Sequence, residues 1–410
     1  MAETRGVAII TEIASFPLGM AGTSRVRLYA RGLSYAGMET RVFIVRGTEL
    51  PESTINRAPS GIHLGVPFEY TGGRTAVPTT WAGRRLGELV GLVSLFRRLM
   101  VLRRDGWLKH ALLYTSDLRF IKVFAAMAHY VRVPVSLDLC EWPLAKATYY
   151  GLNVGTARRF MSEGMPLLDG VLPISDYLVD QIEEYRFATG SEVRFLKVPI
   201  FVDTKRFCPS DSARPGIPTF LWCGSLDYTR IVMSLVDAAV LLKERGLPFR
   251  IEILGGSGLR YQLEKLLRYV ERTATGDVVV IRDFIPEEEL VGSYDQAAAC
   301  LVLLRDDDIS RSRFTTKLGE FLAMGRPVIA SPIGELNRYL VDGKTAFFTR
   351  DLSPGALADA IASVANDRTR AETVGRAGRH LAETVFDYRV QGTRVAEFLD
   401  SLGGASQGRS

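Results

Sequence analysis

Residues 312–334, SRFTTKLGEFLAMGRPVIASPIG, decide the fold class and point to a site. An apolar stripe at helical spacing predicts a helix: Leu318, Phe321 and Leu322. Gly325, with Pro327 two residues later, marks the end of that helix. The run PVIA then predicts a buried strand. A helix leading into a buried strand is typical of an α/β sheet.

The start of this predicted helix offers groups that suit a phosphorylated sugar. Its unpaired N–H groups and the positive end of its dipole favour an anion, most naturally a phosphate. Lys317 and Glu320 are three residues apart and therefore share a helix face. A cation for a phosphate and a carboxylate for sugar hydroxyls can thus lie side by side. An ordinary surface salt bridge is the alternative that this stretch leaves open.

Length and composition predict a globular protein of two domains. The chain has 410 residues, of which 47% are apolar and 24% charged, and two domains of roughly 200 residues each are expected. An acidic residue precedes the first short apolar run, which predicts a first strand rather than a signal peptide. No apolar stretch approaches the ~20 residues of a membrane-spanning helix.

The cysteines and histidines form no pattern typical of a metal or disulfide site. The four cysteines lie far apart without a CxxC motif: Cys140, Cys208, Cys223 and Cys300. Reduced thiols in a cytoplasmic protein are therefore expected. The four histidines also lack metal-ligand spacing. No metal and no resident cofactor are predicted.

The net charge of +5 is unevenly distributed. Residues 1–200 carry 24 basic and 18 acidic residues, and residues 201–410 carry 27 and 28. Residues 81–110 predict a helix with an apolar face formed by Leu86, Leu89, Val90, Val93, Phe96 and Met100. Seven basic residues surround that face: Arg84, Arg85, Arg97, Arg98, Arg103, Arg104 and Lys109. Such a helix can lie on an anionic bilayer. A core-facing helix with a solvated basic side is the alternative.

Strands and helices alternate along both halves of the chain. The first half opens with a predicted βαβ unit: strand 6–11, helix 23–36 and strand 40–45. Its first turn is rich in glycine but lacks GxGxxG, which argues against an NAD-binding enzyme. Residues 46–80 are rich in turn-forming residues. Glu141 follows a predicted strand that ends at residue 139, where α/β proteins place their ligands.

The second half predicts a doubly wound parallel sheet. Its predicted strands are 219–224, 249–254, 278–284, 298–304 and 326–331. The helices between them are predicted at 231–245, 259–272, 286–296 and 315–324. The loops after the strands should gather at one sheet edge, together with Arg230, Lys317 and Glu320. This combination favours a phosphorylated ligand that carries a sugar.

Taken together, these motifs resemble those of the GT-B glycosyltransferases, specifically the large retaining family numbered four. VPIFVDTKRFCP is similar to the family's interdomain "vpNgVDxxrFxP", GSLDYTR to "GrLxxxK" and LGGSG to "vGdGp". Residues 312–331 resemble "EpFGlvxlEAMAxGxPVVas", and PLGMAGTSRVRLYARGLSYAG looks like the acceptor-side loop and helix. The resemblance covers nearly the whole chain and is strongest over residues 195–350.

The resemblance implies an α/β GT-B fold, with two Rossmann-like domains whose parallel sheets face an interdomain cleft. The implied parts are an acceptor-binding domain (1–200), a nucleotide-sugar-binding domain (201–385), a C-terminal helix crossing back to the first domain (386–402) and a disordered tail (403–410). Residues 197–218 contain the linker.

The implied reaction moves a sugar from a nucleoside-diphosphate sugar to an acceptor hydroxyl with retention of configuration, in bacterial-type polysaccharide, glycolipid or glycoconjugate synthesis. The implied catalytic residues are Arg230, Lys317, Glu320 and Glu141, with Arg230 at the diphosphate-binding position and Glu320 on the donor ribose. The implied donor-binding residues are Gly224, Ser225, Gly255, Gly256, Asp283, Phe284, Ser312, Phe314, Thr315 and Thr316. Gly22 and Arg25 are implied on the acceptor side.

The remaining expectations concern cofactors, partners and location. Metal-independent transfer in the cytoplasm is expected, and no nucleic-acid partner is predicted. Peripheral contact with the inner face of the membrane through residues 81–110 and a lipid-linked acceptor are further hypotheses. Donor sugar, base and acceptor stay open.

The chain departs from the family pattern at three positions. Ser312 replaces the first glutamate of the motif, Ser225 an arginine, and Cys140 a histidine, with Glu141 at the acidic position. A sugar-nucleotide epimerase of GT-B form and a non-catalytic relative are therefore alternatives. Residues 306–308, three aspartates, resemble the metal-binding DxD of the GT-A fold. Since they lie in the second of two domains, we interpret them as a solvated acidic loop.

Overall fold

The computed structural model describes residues 5–53, 55–151, 154–210, 216–256, 260–283, 285 and 287–405. The chain divides into two compact units. Unit 1 comprises Met1–Phe201, Ser312–Phe314 and Tyr388–Ser410, and unit 2 comprises Val202–Arg311 and Thr315–Asp387. Unit 1 is therefore discontinuous in sequence.

Within the described residues, unit 1 contains an eight-stranded sheet with the order β3-β4-β2-β1-β5-β6-β7-β8. Its strands are β1 (Gly6–Thr11), β2 (Glu39–Ile44), β3 (Ser60–His63), β4 (Val66–Tyr70), β5 (Leu108–Tyr114), β6 (Val135–Leu139), β7 (Gly170–Pro173) and β8 (Arg194–Phe195). Among these described strands, all neighbours run parallel except β3 and β4. The order reverses between β1 and β5, where open α/β sheets bind ligands.

Six helices of unit 1 precede the transition to unit 2 in the described residues. They are α1 (Ala21–Tyr35), α2 (Trp81–Arg104), α3 (Leu118–Tyr130), α4 (Pro143–Tyr150), α5 (Val154–Arg159) and α6 (Asp176–Thr189). The core forms where apolar residues of β1, such as Val7 and Ile9, pack with Val26 and Tyr29 of α1. β1 is buried along its whole length, as expected for a central parallel strand.

Three predictions for the first half were wrong in their extent. The helix predicted over 81–110 ends at Arg104, because Gly106 turns the chain with φ +76° and β5 then begins. The stretch 46–80, predicted only to be rich in turns, contains β3 and β4. The sequence also predicts one continuous helix over 153–168, where the structure has α5, a π-helical turn (Phe160–Gly164) and a 3₁₀ turn (Met165–Leu167). Its first residue, Asn153, lies outside the described residues.

The strands described for unit 2 form a six-stranded parallel sheet in the order β11-β10-β9-β12-β13-β14. They are β9 (Thr219–Cys223), β10 (Arg250–Leu254), β11 (Val279–Arg282), β12 (Ala299–Val302), β13 (Val328–Ala330) and β14 (Phe347–Phe348). This is the Rossmann strand order, and its reversal lies between β9 and β12.

Helices flank the unit 2 sheet, and one later helix returns to unit 1. The unit 2 helices are α7 (Thr229–Glu244), α8 (Arg260–Arg272), α9 (Glu287–Gln296), α10 (Asp308–Ser312, whose last residue belongs to unit 1), α11 (Thr316–Ala323), α12 (Glu335–Tyr339), α13 (Pro354–Asn366) and α14 (Arg368–Leu381). The C-terminal helix α15 (Tyr388–Ala405) belongs to unit 1 and packs on α1. It extends three residues beyond the predicted end at 402, and residues 406–410 lie outside the described part of the chain.

Candidate functional site

Two glycine loops meet at the point where the strand order of unit 2 reverses. The Gly224 N–H donates to the Leu254 carbonyl at 3.0 Å, and the Leu226 N–H donates to the Gly256 carbonyl at 3.1 Å. A Cβ on Gly255 would lie 1.7 Å from the Gly224 carbonyl oxygen, so only glycine allows this approach. The structure therefore brings the loops after β9 and β10 together, as the sequence predicts.

Ser225 shapes the first of these loops from within. Its hydroxyl contacts Asp227 Oδ2 at 2.9 Å and accepts from the Asp227 N–H at 3.2 Å. This is a local turn, with the Ser225 hydroxyl committed to its own loop. Arg230 lies three residues after Asp227, exposed in the first turn of α7.

A hydrogen-bonded triangle joins α11 to α9. Lys317 Nζ donates to Glu320 Oε2 at 2.8 Å and to the Tyr294 hydroxyl at 2.9 Å. The Tyr294 hydroxyl donates to Glu320 Oε2 at 3.0 Å. Lys317 and Glu320 keep 27% and 12% of their side-chain surface exposed, whereas Tyr294 is completely buried. Two partly exposed charged side chains are thus hydrogen-bonded to the same buried phenol.

This triangle borders the glycine loops through Cys223, the last residue of β9. The Tyr294 hydroxyl lies 3.7 Å from Cys223 Sγ. Burial raises the pKa of the Cys223 thiol, which therefore stays protonated at neutral pH. Lys317 and Glu320 hence lie beside the loop that begins at Gly224, and the expected grouping of these residues is observed.

The N-terminus of α11 has the local structure predicted for an anion site. Thr315 is the N-cap residue in an extended conformation, and its side chain makes no capping hydrogen bond. Thr316 opens the helix, and both threonines are half-buried. Leu318, Phe321 and Leu322 are buried and anchor the helix to the core, as the stripe predicts. A phosphate at this end would meet backbone N–H groups and the helix dipole.

Asp283 directly follows β11, next to the glycine loops. The Arg282 carbonyl accepts from the Gly255 N–H at 3.1 Å, and Asp283 itself is exposed. Phe284, which the family resemblance places in the donor site, lies outside the described residues, as do Ser257 and Gly258.

Two members of the acidic triplet 306–308 pair with neighbouring arginines. Asp306 Oδ1 pairs with Arg311 at 2.8 Å, and Asp307 Oδ2 pairs with Arg305 at 2.6 Å. Asp307 also accepts from the Ser310 N–H at 2.9 Å and so holds the first turn of α10. Among the described residues, no group of three His, Cys, Asp or Glu side chains could hold a metal ion.

Ser312 and Phe314 belong to unit 1, although the family resemblance implies a donor-binding role for both. The Ser312 carbonyl accepts from the Ser175 hydroxyl at 2.9 Å, and both Ser312 and Phe314 are buried. Their packing on unit 1 corrects the assignment of these two side chains to the nucleotide-sugar-binding domain.

Glu141 follows β6 at the carboxyl edge of the unit 1 sheet, where the sequence places it. Its Oε2 pairs with Lys146 at 2.8 Å and its Oε1 pairs with Arg313 at 2.8 Å. Two cations therefore fix the orientation of this carboxylate.

Arg25 is a structural residue of unit 1, which corrects its predicted contact with an acceptor. Only 3% exposed, it donates from Nε and Nη2 to the two carboxylate oxygens of Asp138 at 2.7 and 2.8 Å. Its Nη1 donates to the Pro199 carbonyl at 2.8 Å. A buried guanidinium with bidentate pairing has its hydrogen bonds satisfied internally.

Cys140 and Gly22 each make a local contact within unit 1. The Cys140 thiol donates to Asp138 Oδ2 at 3.0 Å, and burial raises the pKa of this thiol. Gly22 approaches the hydroxyl of Tyr114, which would lie 2.7 Å from a Cβ at position 22. Asp138, Arg25 and the Cys140 thiol therefore form one polar cluster at the end of β6.

Sequence reasoning missed Tyr294 and Glu12. Tyr294 lies four residues after Leu290 and three before Ala297, on the core-facing side of α9, and a buried tyrosine needs a partner for its hydroxyl. That spacing was the available signal. Glu12 is 1% exposed directly after β1 and accepts from the Thr115 hydroxyl at 2.6 Å. Its position after an apolar strand gives no sequence signal of burial.

The two parallel-sheet α/β units and their strand orders define the fold class, which is GT-B. A match to a family model lies in unit 2 and covers less than half of the chain. Residues 217–367 match the family model described as Glycosyl transferases group 1, so the resemblance predicted from the motifs is confirmed.

Two solved structures illustrate the likeness in fold. Sucrose-phosphate synthase from Thermosynechococcus elongatus superimposes with a TM-score of 0.73 at 18% identity, covering 98% of this chain and 100% of the other. Anabaena HepE in complex with UDP and glucose gives a TM-score of 0.71 at 14% identity, covering 96% and 99%. The predicted α/β GT-B fold class is thereby confirmed for the two units.

A curated relative matches at the level of sequence. The GDP-mannose-dependent alpha-(1-6)-phosphatidylinositol monomannoside mannosyltransferase of Mycolicibacterium smegmatis is 28% identical over 244 residues. The match covers 56% of this chain and 63% of the relative, which is less than two thirds of its length. In the described residues, no helix has the length and apolar character needed to cross a bilayer.

Proposed function

We propose that the chain transfers a sugar from a nucleoside-diphosphate sugar to an acceptor hydroxyl with retention of configuration. The observation that carries the proposal is the Lys317–Glu320 pair at the start of α11, beside the glycine loops after β9 and β10. The name of the M. smegmatis relative specifies a sugar nucleotide donor, and HepE was crystallised with UDP and glucose. Both support the proposal.

The donor chemistry follows from the charges around α11. Negative charge develops on the departing diphosphate, and Lys317, Arg230 and the α11 N-terminus would stabilise it. Glu320 would accept hydrogen bonds from ribose hydroxyls, since a carboxylate accepts from two neighbouring hydroxyls. Transfer would therefore proceed without a metal ion.

On the acceptor side, we assign a role to Glu141. Its paired carboxylate lies at the carboxyl edge of the unit 1 sheet, and it could orient an acceptor hydroxyl. Retention would follow from the family resemblance, and the pathway would be polysaccharide, glycolipid or glycoconjugate synthesis in the cytoplasm.

The experiment measures donor binding and product together. Thermal shifts with a panel of UDP- and GDP-sugars identify the donor, since a ligand that binds the folded state raises Tm. Glu320→Gln and Arg230→Ala should each weaken binding of that donor, and loss of a charge-assisted contact costs about 1.5–3 kcal/mol.

A matched control pair lies in the same unit. Glu372→Gln and Arg368→Ala alter an exposed ion pair at 3.1 Å on α14 and should leave binding unchanged. Wild-type affinity in the two site variants would refute the site. Release of an epimerised sugar nucleotide instead of a transferred sugar would favour the epimerase, and binding without turnover would favour a non-catalytic relative.

We further propose peripheral contact of α2 with the inner face of an anionic membrane. Five of the six residues of the predicted apolar face are exposed: Leu86, Leu89, Val90, Val93 and Met100 are each at least 37% exposed. The sixth, Phe96, is half-buried and packs edge-on against Tyr130. The buried side is instead formed by Gly91, Leu95, Leu99 and Leu102. Exposed apolar residues flanked by arginines suit an anionic bilayer, and a lipid-linked acceptor would then be within reach.

A further inference from the structure

The buried phenol of Tyr294 connects the two charged residues of the candidate donor site. Its oxygen lies 2.9 Å from Lys317 Nζ and 3.0 Å from Glu320 Oε2, and these two atoms are themselves 2.8 Å apart. The single hydroxyl proton is donated to the carboxylate, while the oxygen accepts from the ammonium. Each member of the triangle thus contacts both others.

Packing accounts for the ring of Tyr294 but not for its hydroxyl. The ring packs edge-on against Phe321, with 4.9 Å between centroids, and lies 6.2 Å from Phe207. A phenylalanine would make both ring contacts. Burial and the neighbouring Glu320 raise the pKa of Tyr294, so the hydroxyl keeps its proton and remains a donor.

The Tyr294 hydroxyl restrains the ion pair between Lys317 and Glu320. A lysine and a glutamate three residues apart on an exposed helix usually form a weak and mobile pair. Here Glu320 Oε2 accepts from a fixed buried donor, and Lys317 has an acceptor on the protein side in addition to Glu320. Since α9 holds the phenol, the two charged groups are fixed relative to the sheet and not only to each other.

We propose that Tyr294 is a positioning residue, whose hydroxyl sets the place of the Lys317 ammonium and the Glu320 carboxylate for a nucleoside-diphosphate sugar. The inference rests on the proposed function for its ligand, but the contact between Tyr294 and Lys317 can be tested without one. Tyr294 itself touches no ligand, because it is completely buried.

The test variant is Tyr294→Phe, which keeps the ring and removes only the hydroxyl. Tyr269→Phe is the matched control, because the Tyr269 hydroxyl donates to Asp237 at 2.7 Å elsewhere in unit 2. The first measurement is the rate of acetylation of Lys317, read by peptide mass spectrometry with exposed Lys344 as the internal reference. Loss of the hydroxyl should speed acetylation of Lys317 severalfold, and the control should not.

The second measurement is donor binding and turnover. Tyr294→Phe should weaken binding of the stabilising nucleoside diphosphate about tenfold and raise the KM for the donor more than it lowers kcat. A lowered Tm with unchanged KM and unchanged acetylation would show a merely structural hydroxyl and overturn the proposal.

The two measurements separate this proposal from the proposed function. If the wild-type protein binds no nucleoside diphosphate, the proposed function fails, and acetylation still decides whether Tyr294 holds Lys317. If the wild type binds and Tyr294→Phe matches Tyr269→Phe in both measurements, the positioning role is refuted while the donor site stands.

Discussion

Glu12 is a buried carboxyl group at the reversal point of the unit 1 sheet. Its Oε1 accepts from Thr115, while its Oε2 has no hydrogen-bond partner within the described part of the chain. Burial raises the pKa of Glu12 to about 7, against an ordinary value of 4.5. The neutral acid is therefore the form that the folded protein prefers.

This shift makes the stability of unit 1 depend on pH. The contribution of Glu12 to the free energy of unfolding is fully present below pH 4.5 and is lost as the pH rises to about 7. It is lost because the Glu12 carboxyl group ionises at a lower pH in the unfolded chain than in the folded protein. The free energy of unfolding should fall by about 3 kcal/mol across this window. Glu12→Gln, which stays neutral, should lack that part of the decrease. Urea unfolding at pH 5 and pH 8 measures the difference, and parallel pH profiles of variant and wild type would contradict it.

At single positions, the sequence predicts which functional groups are present better than it predicts which partners their side chains contact. Lys317 and Glu320 could be paired from their spacing alone, because helix geometry fixes which residues share a face. Arg25 could not be placed, since its partner Asp138 is 113 residues away and only the fold brings them together. Tyr294 was missed for the same reason: its partners are on α11.

The helix α2 carries apolar residues on both its sides. One side packs into unit 1 through Leu95, Leu99 and Leu102, and the other exposes Leu86, Leu89 and Met100. A surface helix normally has a polar outer side. Glu88 is its one acidic residue, and it lies near Arg46 and Arg85.

Vesicle co-sedimentation tests the proposed membrane contact of α2. The protein should bind anionic vesicles, bind less with added salt, and ignore neutral vesicles. Arg97→Glu with Arg104→Glu should weaken binding ~30-fold or more, since each basic residue contributes about 1 kcal/mol. Leu86→Ser with Leu89→Ser should also weaken it, through loss of apolar contact.

The control for the charge reversal is Arg350→Glu with Arg376→Glu, two exposed residues of unit 2. It changes the net charge equally and should leave vesicle binding intact. If both pairs of substitutions weaken vesicle binding equally, the attraction to the vesicles is a nonspecific effect of net charge. A concentration-dependent dimer that the leucine changes abolish, without vesicle binding, would identify a second copy as the occupant of this face.

Elements with buried periodic residues were predicted well, and peripheral ones were not. The central strands β9, β12 and β13 of unit 2 are nearly continuous apolar runs, as buried parallel strands must be. β3 is exposed along most of its length, so neither alternation nor an apolar run marks it. The end of α2 was missed because Trp107 and Leu108 continue the apolar pattern, although Leu108 already begins the next strand.

For the molecule as a whole, the charges proposed to meet a diphosphate come from side chains and a helix end. Activity should therefore persist when divalent metals are removed. Transfer assays in EDTA, with the stabilising donor at saturation, should give the rate measured without chelator. An activity lost in EDTA and restored by manganese or magnesium would instead assign a metal to residues 306–308. Arg311→Gln, which breaks the salt bridge but keeps the Asp306 carboxylate, would then separate the two roles.

The two-unit plan could be derived from the sequence because each half repeats the strand–helix alternation, and the GT-B resemblance follows from spaced motifs. The membership of residues 312–314 in unit 1 could not be derived from the sequence. Its residues Ser312–Phe314 lie inside the motif that predicts the donor site, yet they pack with Ser175 and Glu141. Linear motifs record which residues occur together, not which unit each side chain joins.

The discontinuity of unit 1 has a consequence for how the protein is made. The ribosome synthesises α15 only after all of unit 2, yet Gly392 of α15 packs so closely on α1 that a Cβ there would lie 2.3 Å from the Gly32 backbone. Val395 and Leu399 complete the apolar core beside α1. During translation, unit 2 can therefore fold before unit 1 is complete, because α1 stays uncovered until α15 has been synthesised. A nascent chain released before residue 388 would expose that surface to chaperones and proteases.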